Sequence, residues 1–172
     1  MKNTTRELCI KAMLSALVCV ATMVIQVPVP ATNGYIHLGD SIILFSAIMF
    51  GPSAGLVAGG IGSALADILT GYSYWAPFTL VIKGLMGYAA GRIAFDGTDR
   101  PFGTNKFIGI ILAEIIMIAG YLLGGAILKS SFLVSLASVP ENAVQAIGGA
   151  ILYLVIACAV KKTGLLKILN MR

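Results

Sequence analysis

Six apolar runs set the frame of the chain, at about 8–27, 38–50, 52–70, 75–95, 107–128 and 140–160. None alternates apolar and polar residues in the two-residue rhythm of a strand that crosses a membrane, so each is expected to be a helix. The breaks carry turn chemistry. Pro28 and Pro30 stop the first run, and Gly51-Pro52-Ser53 divides the second from the third. The stretch from Asp96 to Asn105 is the one clearly polar linker. The second run, at 1.5 Å per residue, spans only ~20 Å.

Gly51-Pro52 decides the count, because without a break there the second and third runs fuse into one kinked helix. Charge favours six spans. With the N-terminus inside, Lys2, Arg6, Lys11, Arg92, Arg100, Lys106, Lys161, Lys162, Lys167 and Arg172 all fall on the cytoplasmic side. Lys129 falls outside and Lys83 within a span. Five spans would move the last two basic clusters outside, against the positive-inside bias.

Composition agrees. Of the 172 residues, 58% are hydrophobic and 11% charged, less than half the charge of an ordinary soluble domain, about 25%. So few charges cannot cover a water-facing surface. The expected protein is an all-α integral membrane protein, a single six-helix domain over 1–172 with both termini cytoplasmic and an outward-facing ligand pocket. The net charge of +5 follows from topology, and no nucleic-acid motif is present. Cys9, Cys19 and Cys158 form no CxxC and imply no disulfide framework. The first run is too long for a cleaved signal and reads as a retained span.

In so greasy a chain the polar residues are the informative ones. Asp40 opens the second span, Asp67 lies near the outer end of the third, and Glu141 opens the sixth. Glu114 and Lys83 lie deeper, in the fifth and fourth. A charge at that depth costs about 2.5–3.5 kcal/mol on insertion scales and usually faces a partner or a cavity. Lys83 and Glu114 either pair as a structural lock or turn at least one group toward a ligand. Tyr35, Tyr72, Tyr74, Trp75, Phe78, Tyr121, Asn142 and Gln145 fall in the same outer half. The aromatic residues also suit an interfacial belt, whereas Asn142 and Gln145 share one helix face and need partners.

In the stretch YIHLGD, His37 and Asp40 stand where an external loop re-enters the membrane. They line a pocket mouth, or else Asp40 or Ser41 simply caps the second helix. Two such groups do not complete a metal shell. Gly51, Gly55, Gly59, Ser63 and Asp67 recur every four positions, a stripe that lets helices approach closely. Gly84, Gly87 and Gly91 repeat the device, and Ala12 and Ala16 form a small-xxx-small pair in the first span. No ATP-binding loop, GxSxG, HExxH or Cys/His pairing occurs.

The stretches HLGDSIILFSAIMFGPSAGLVAGGIGSALADIL, APFTLVIKGLMGYAAG, AEIIMIAGYLLGGAIL and PENAVQAIGGAIL, in this order over about 8–160, resemble the substrate-binding S components of energy-coupling factor (ECF) transporters, in particular the riboflavin-transporter-like group. The resemblance implies a six-helix vitamin-binding subunit of a prokaryotic cytoplasmic membrane, with no catalytic residues, metal or cofactor of its own. Its partners would be a transmembrane coupling subunit (T component) and two ATPases that use the ATP. Ala12-Met13-Leu14-Ser15-Ala16 matches the family's AxxxA contact with the coupling subunit. The ligand would be held by His37, Asp40, Trp75, Lys83, Glu114, Tyr121, Asn142 and Gln145. A flat heterocycle suits such a site: pyridoxine or hydroxymethylpyrimidine first, riboflavin next, then pantothenate or folate. The alternatives are an intramembrane enzyme using Glu114 or Asp40, and a solitary small-molecule carrier.

Overall fold

A computed structural model describes residues 2–29, 34–98 and 100–163. Pro30, Asn33, Lys167, Arg172 and the side chain of Lys2, used above, lie outside the described residues. The order is α1 (Lys2–Val24), β1 (Gln26–Val29), β2 (Gly34–His37), α2 (Gly39–Phe50), α3 (Pro52–Leu69), α4 (Ala76–Ala94), α5 (Thr104–Leu128), α6 (Phe132–Leu136) and α7 (Val139–Thr163).

Six long helices match the six apolar runs, with two corrections to an all-α chain of plain loops. The segment after α1 is an antiparallel hairpin that pairs Gln26 with His37, Val27 with Ile36 and Pro28 with Tyr35. β-Branched Val27, Val29 and Ile36 favour extended backbone, and a two-stranded ribbon tolerates Pro28 because both strands are edges. Helix α1 therefore ends at Val24, short of Val27. A further short helix, α6, precedes α7; the Ser131 side chain caps it by accepting from the Val134 amide at 3.3 Å.

Among the described residues, four stretches are long and apolar enough to cross a membrane: Thr4–Val24, Pro52–Leu69, Thr104–Leu128 and Phe132–Thr163. Helix α2 has only 12 residues, and α4 carries Lys83 and Arg92. The α2–α3 break is where the sequence places it. Gly51 adopts φ 97°, open to glycine at little cost, and Pro52 starts α3, where its missing N–H is harmless.

Packing between α3 and α4 is backbone against backbone. A Cβ on Gly55 would strike the Gly87 carbonyl, and one on Gly59 would stand 2.5 Å from the Lys83 carbonyl oxygen. The stripe thus works as expected, with Gly84, Gly87 and Gly91 as its counterpart. Gly62 offers α1 the same closeness, at Ser15 and Val18. Elsewhere side chains fill the interior: Leu44, Ile48, Met86, Met117 and Tyr153 unite α2, α4, α5 and α7. Leu65, Ile68, Val81, Leu85, Ile115, Ile147, Ile151 and Val155 stay exposed, an apolar belt that belongs against lipid. Ala12 and Ala16 are exposed too, so they do not serve packing within the chain.

At one end of the bundle lie the start of α1, the Gly51 turn and the polar linker. There the Tyr153 hydroxyl donates to the Pro101 carbonyl at 3.3 Å, and Lys106, almost wholly buried, pairs with Asp96 at 2.8 Å. Partial burial raises the Asp96 carboxyl, but hydrogen bonds from Lys106 and Thr98 outweigh it, and its pKa falls to about 2. The hairpin and α6 mark the opposite end.

Candidate ligand site

A cavity opens at the hairpin end. Its volume is about 50 Å³, well below the roughly 300–1,000 Å³ common for small-molecule pockets, which favours a one-ring molecule over a three-ring one. The hairpin supplies Tyr35 and His37, the end of α3 supplies Asp67, and the entry to α4 supplies Trp75 and Thr79. Tyr121 and Lys129 come from α5 and its end, and Ser138, Glu141, Asn142 and Gln145 from the start of α7.

Aromatic rings form its walls. Trp75 stands edge-on to Tyr121, with centroids 5.7 Å apart, and Tyr35 lies 4.7 Å from Tyr72. Gly124 lets Phe78 and Trp75 approach α5, at 3.1 and 3.6 Å from where its Cβ would be. The Tyr121 hydroxyl donates to Thr79 Oγ1 at 3.2 Å. The Tyr35 hydroxyl donates to Asp67 Oδ1 at 2.5 Å and fastens the hairpin to α3.

Beside the cavity lies a buried ionic layer. Lys83 Nζ pairs with Asp40 Oδ1 at 2.5 Å, and both side chains are fully buried. Gln145 Nε2 donates to Asp40 Oδ2 at 2.8 Å, while Gln145 Oε1 accepts from the His37 amide at 3.0 Å. One glutamine therefore ties α7 to both α2 and the hairpin. Removing one partner of such a buried pair typically costs about 3–5 kcal/mol, because a charge is left without its counterpart. Lys83 Nζ also lies 5.3 Å from the centroid of the Tyr121 ring, within cation–π range. His37 Nδ1 accepts from the Gly39 amide at 3.0 Å. Burial lowers the His37 pKa to about 4, Lys83 adding to the effect and Asp40 opposing it, so the imidazole is neutral at neutral pH.

Of the eight residues expected at the ligand, His37, Trp75, Tyr121, Asn142 and Gln145 line the cavity, whereas Asp40, Lys83 and Glu114 do not. Lys83 pairs with Asp40 and not with Glu114. The hairpin precedes the start of α2, and Asp40 sits fully buried inside the bundle beside Lys83. Nor does Asp40 or Ser41 cap α2 with its side chain; the Ser41 hydroxyl donates to the Leu38 carbonyl. Glu114 is buried with both carboxyl oxygens unpartnered, near Asp40 across Gly149.

The expected ligand set omits Tyr35, Asp67, Thr79, Lys129, Ser138 and Glu141. Thr79 was within reach of sequence reasoning, since positions 75, 79 and 83 share one helix face. Asp67 was visible as the end of the glycine row. Among the described residues no three His, Cys, Asp or Glu side chains gather as a metal site.

Residues 2–162 match the family described as ECF-type riboflavin transporter, S component. Among curated proteins, the thiamine precursor transporter HmpT of Lactococcus lactis subsp. cremoris (strain MG1363) is 26% identical over 162 residues, covering 94% of this chain and 91% of HmpT. An uncharacterized protein of Pyrococcus woesei is 45% identical over 104 residues, 60% of this chain and 68% of that one. Among solved structures, the S component of a bacterial ECF transporter superposes with TM-score 0.67 at 21% identity, covering 95% of this chain and 98% of that one.

Proposed function

Since the chain belongs to the family of ECF-type riboflavin transporter S components, and is thus a multi-pass membrane transport subunit and not an enzyme, we propose that it captures a small vitamin precursor in the hairpin-end cavity. Hydroxymethylpyrimidine or pyridoxine is the first choice of ligand and riboflavin the second. The observation that carries this reading is the cavity itself, with aromatic walls at Tyr35, Trp75 and Tyr121 and amides from Asn142 and Gln145. Flat rings stack on such walls, and amides read ring nitrogens and hydroxyls. Its modest volume and the likeness to HmpT both favour a single ring.

The cavity faces the cell exterior in this reading, and the membrane is the prokaryotic cytoplasmic one. Arg6, Lys11, Arg92, Arg100, Lys106, Lys161 and Lys162 all lie toward the other end of the bundle, as the positive-inside bias requires of a cytoplasmic face. A coupling subunit docks on the exposed Ala12 and Ala16, and its two ATPases spend the ATP. The ionic layer of Asp40, Lys83 and Gln145 serves as the rigid support of the site, with Glu114 beside it.

Gentle extraction followed by mass spectrometry tests the reading. A one-ring vitamin precursor should co-purify. Replacing Ala12 and Ala16 by leucine should leave binding intact and abolish uptake in cells that carry the whole transporter. Loss of binding with preserved assembly would overturn this division of labour.

A further inference from the structure

Asp67 has an unused oxygen. The side chain lines the cavity and is only 4% exposed. Tyr35 occupies Oδ1, while Oδ2 makes no hydrogen bond of normal geometry, the Thr79 hydroxyl standing beside the carboxylate without closing on that oxygen. A buried acceptor left empty costs free energy, more so when charged, so such a group usually has a donor in the working state of the protein. The nearest cations do not serve. Lys83 is committed to Asp40 in the buried ionic layer, and Lys129, which also lines the cavity, is in none of the ion pairs among the described residues. Tyr35, Trp75, Tyr121 and Thr79 line the same cavity as Asp67, surfaces for a flat ring whose edge would meet the carboxylate.

We propose that Asp67 is the specificity-determining acceptor of the site, and that it selects heterocycles that carry an amino substituent over counterparts that carry oxygen in its place. The inference rests on the reading that the cavity binds a small heterocycle, and sharpens it. An amino-substituted ring gives Oδ2 its donor. An oxo-substituted ring puts a second acceptor against it, and an acidic ligand adds like charge. An aminopyrimidine is favoured over its pyrimidinone counterpart, and pyridoxamine over pyridoxine.

The chain contains a single tryptophan, and that residue, Trp75, lines the cavity, so its emission reports binding by the purified full-length protein. The probes are 4-amino-5-hydroxymethyl-2-methylpyrimidine, its 4-oxo counterpart, pyridoxamine, pyridoxine and riboflavin, with calorimetry as a second readout. The wild type should bind the amino member of each pair about tenfold or more tightly, as expected for a hydrogen bond to a charged group. Asp67→Asn, whose amide can donate, should lose that preference or reverse it. Equal binding of amino and oxo partners by the wild type overturns the inference, and this comparison stands even if the variant fails to fold. Binding of riboflavin alone overturns it too, while leaving the vitamin reading intact. Failure to bind any of the five probes overturns both.

Discussion

The α3–α4 seam and the α7 side of the bundle are built by different rules. Along the seam, glycines bring two backbones together, and 56% of α3 is buried inside the protein. In Phe132–Thr163 only 28% of the span's 18-residue apolar window is buried; there Gly148 meets nothing nearer than Leu38 Cδ2, 4.0 Å from where its Cβ would be. In a bilayer the lipid tails are as apolar as leucine, so close packing and polar contacts hold helices together in place of hydrophobic expulsion. The seam is rich in packing. On its site-facing side α7 is held to α2 and the hairpin through Gln145. The cavity lies where the two kinds of construction meet, with Asp67 and Trp75 from the tight half and Asn142 and Gln145 from the loose one.

Three experiments would break or sharpen this contrast. The largest effect is expected from Gly87→Val. Its Cβ would collide with the Gly55 backbone, where neither helix has a flexible side chain to move aside. Overpacking typically costs about 1–3 kcal/mol and more where it must displace backbone; the variant should yield little folded protein by size-exclusion chromatography in detergent. A monodisperse variant with wild-type thermal stability would mean that the seam is not the rigid half.

An intermediate effect is expected from acid, acting at the junction. The unfolded His37 side chain takes a proton below its ordinary pKa of 6.5, whereas the native one resists until about 4. Its contribution is therefore complete above pH 6.5 and is lost as pH falls from 6.5 toward 4, because the unfolded state binds the extra proton. Protonation also removes the Nδ1 acceptor that holds the Gly39 amide. Melting temperature should drop through that window, and His37→Asn should flatten the drop. An unchanged slope in the variant would move the acid sensitivity elsewhere.

The smallest effect is expected from Gly148→Ala. The new methyl has room, and alanine favours the helix over glycine by up to about 1 kcal/mol. The melting temperature should stay level or rise by a few degrees. A marked fall would show that α7 is packed as tightly as the seam.

Most of the helical frame was legible in the sequence, because apolar runs bounded by Gly-Pro and a polar linker are local signals. The glycine row was legible for the same reason, since a four-residue repeat states which face is small. The hairpin was not. Its strands have four residues each, and two prolines near them look like loop. Missing the hairpin is what made Glu114 a candidate partner for Lys83. Without the hairpin before α2, Asp40 counts as an outer-surface group, and Glu114 becomes the only carboxylate at the right depth. Pairing across 43 positions depends on helix depth, which composition does not encode. The five expected residues that line the cavity sit in the outer parts of helices or at the hairpin, where chain order fixes the height. Asp67 was seen only as the end of a packing stripe, and nothing in a one-dimensional pattern tells a stripe's last member that it has turned toward a void.

Gln145 receives an amide proton from the strand at one atom and gives one to a carboxylate at the other, so position 145 has a fixed direction. Glutamate has no proton to give once ionised, lysine and arginine have no oxygen to receive with, and asparagine is one methylene short of bridging the same gap. The two separate folding problems of seating the ribbon and holding the last long helix thus converge on one codon, with almost no synonym among the twenty side chains.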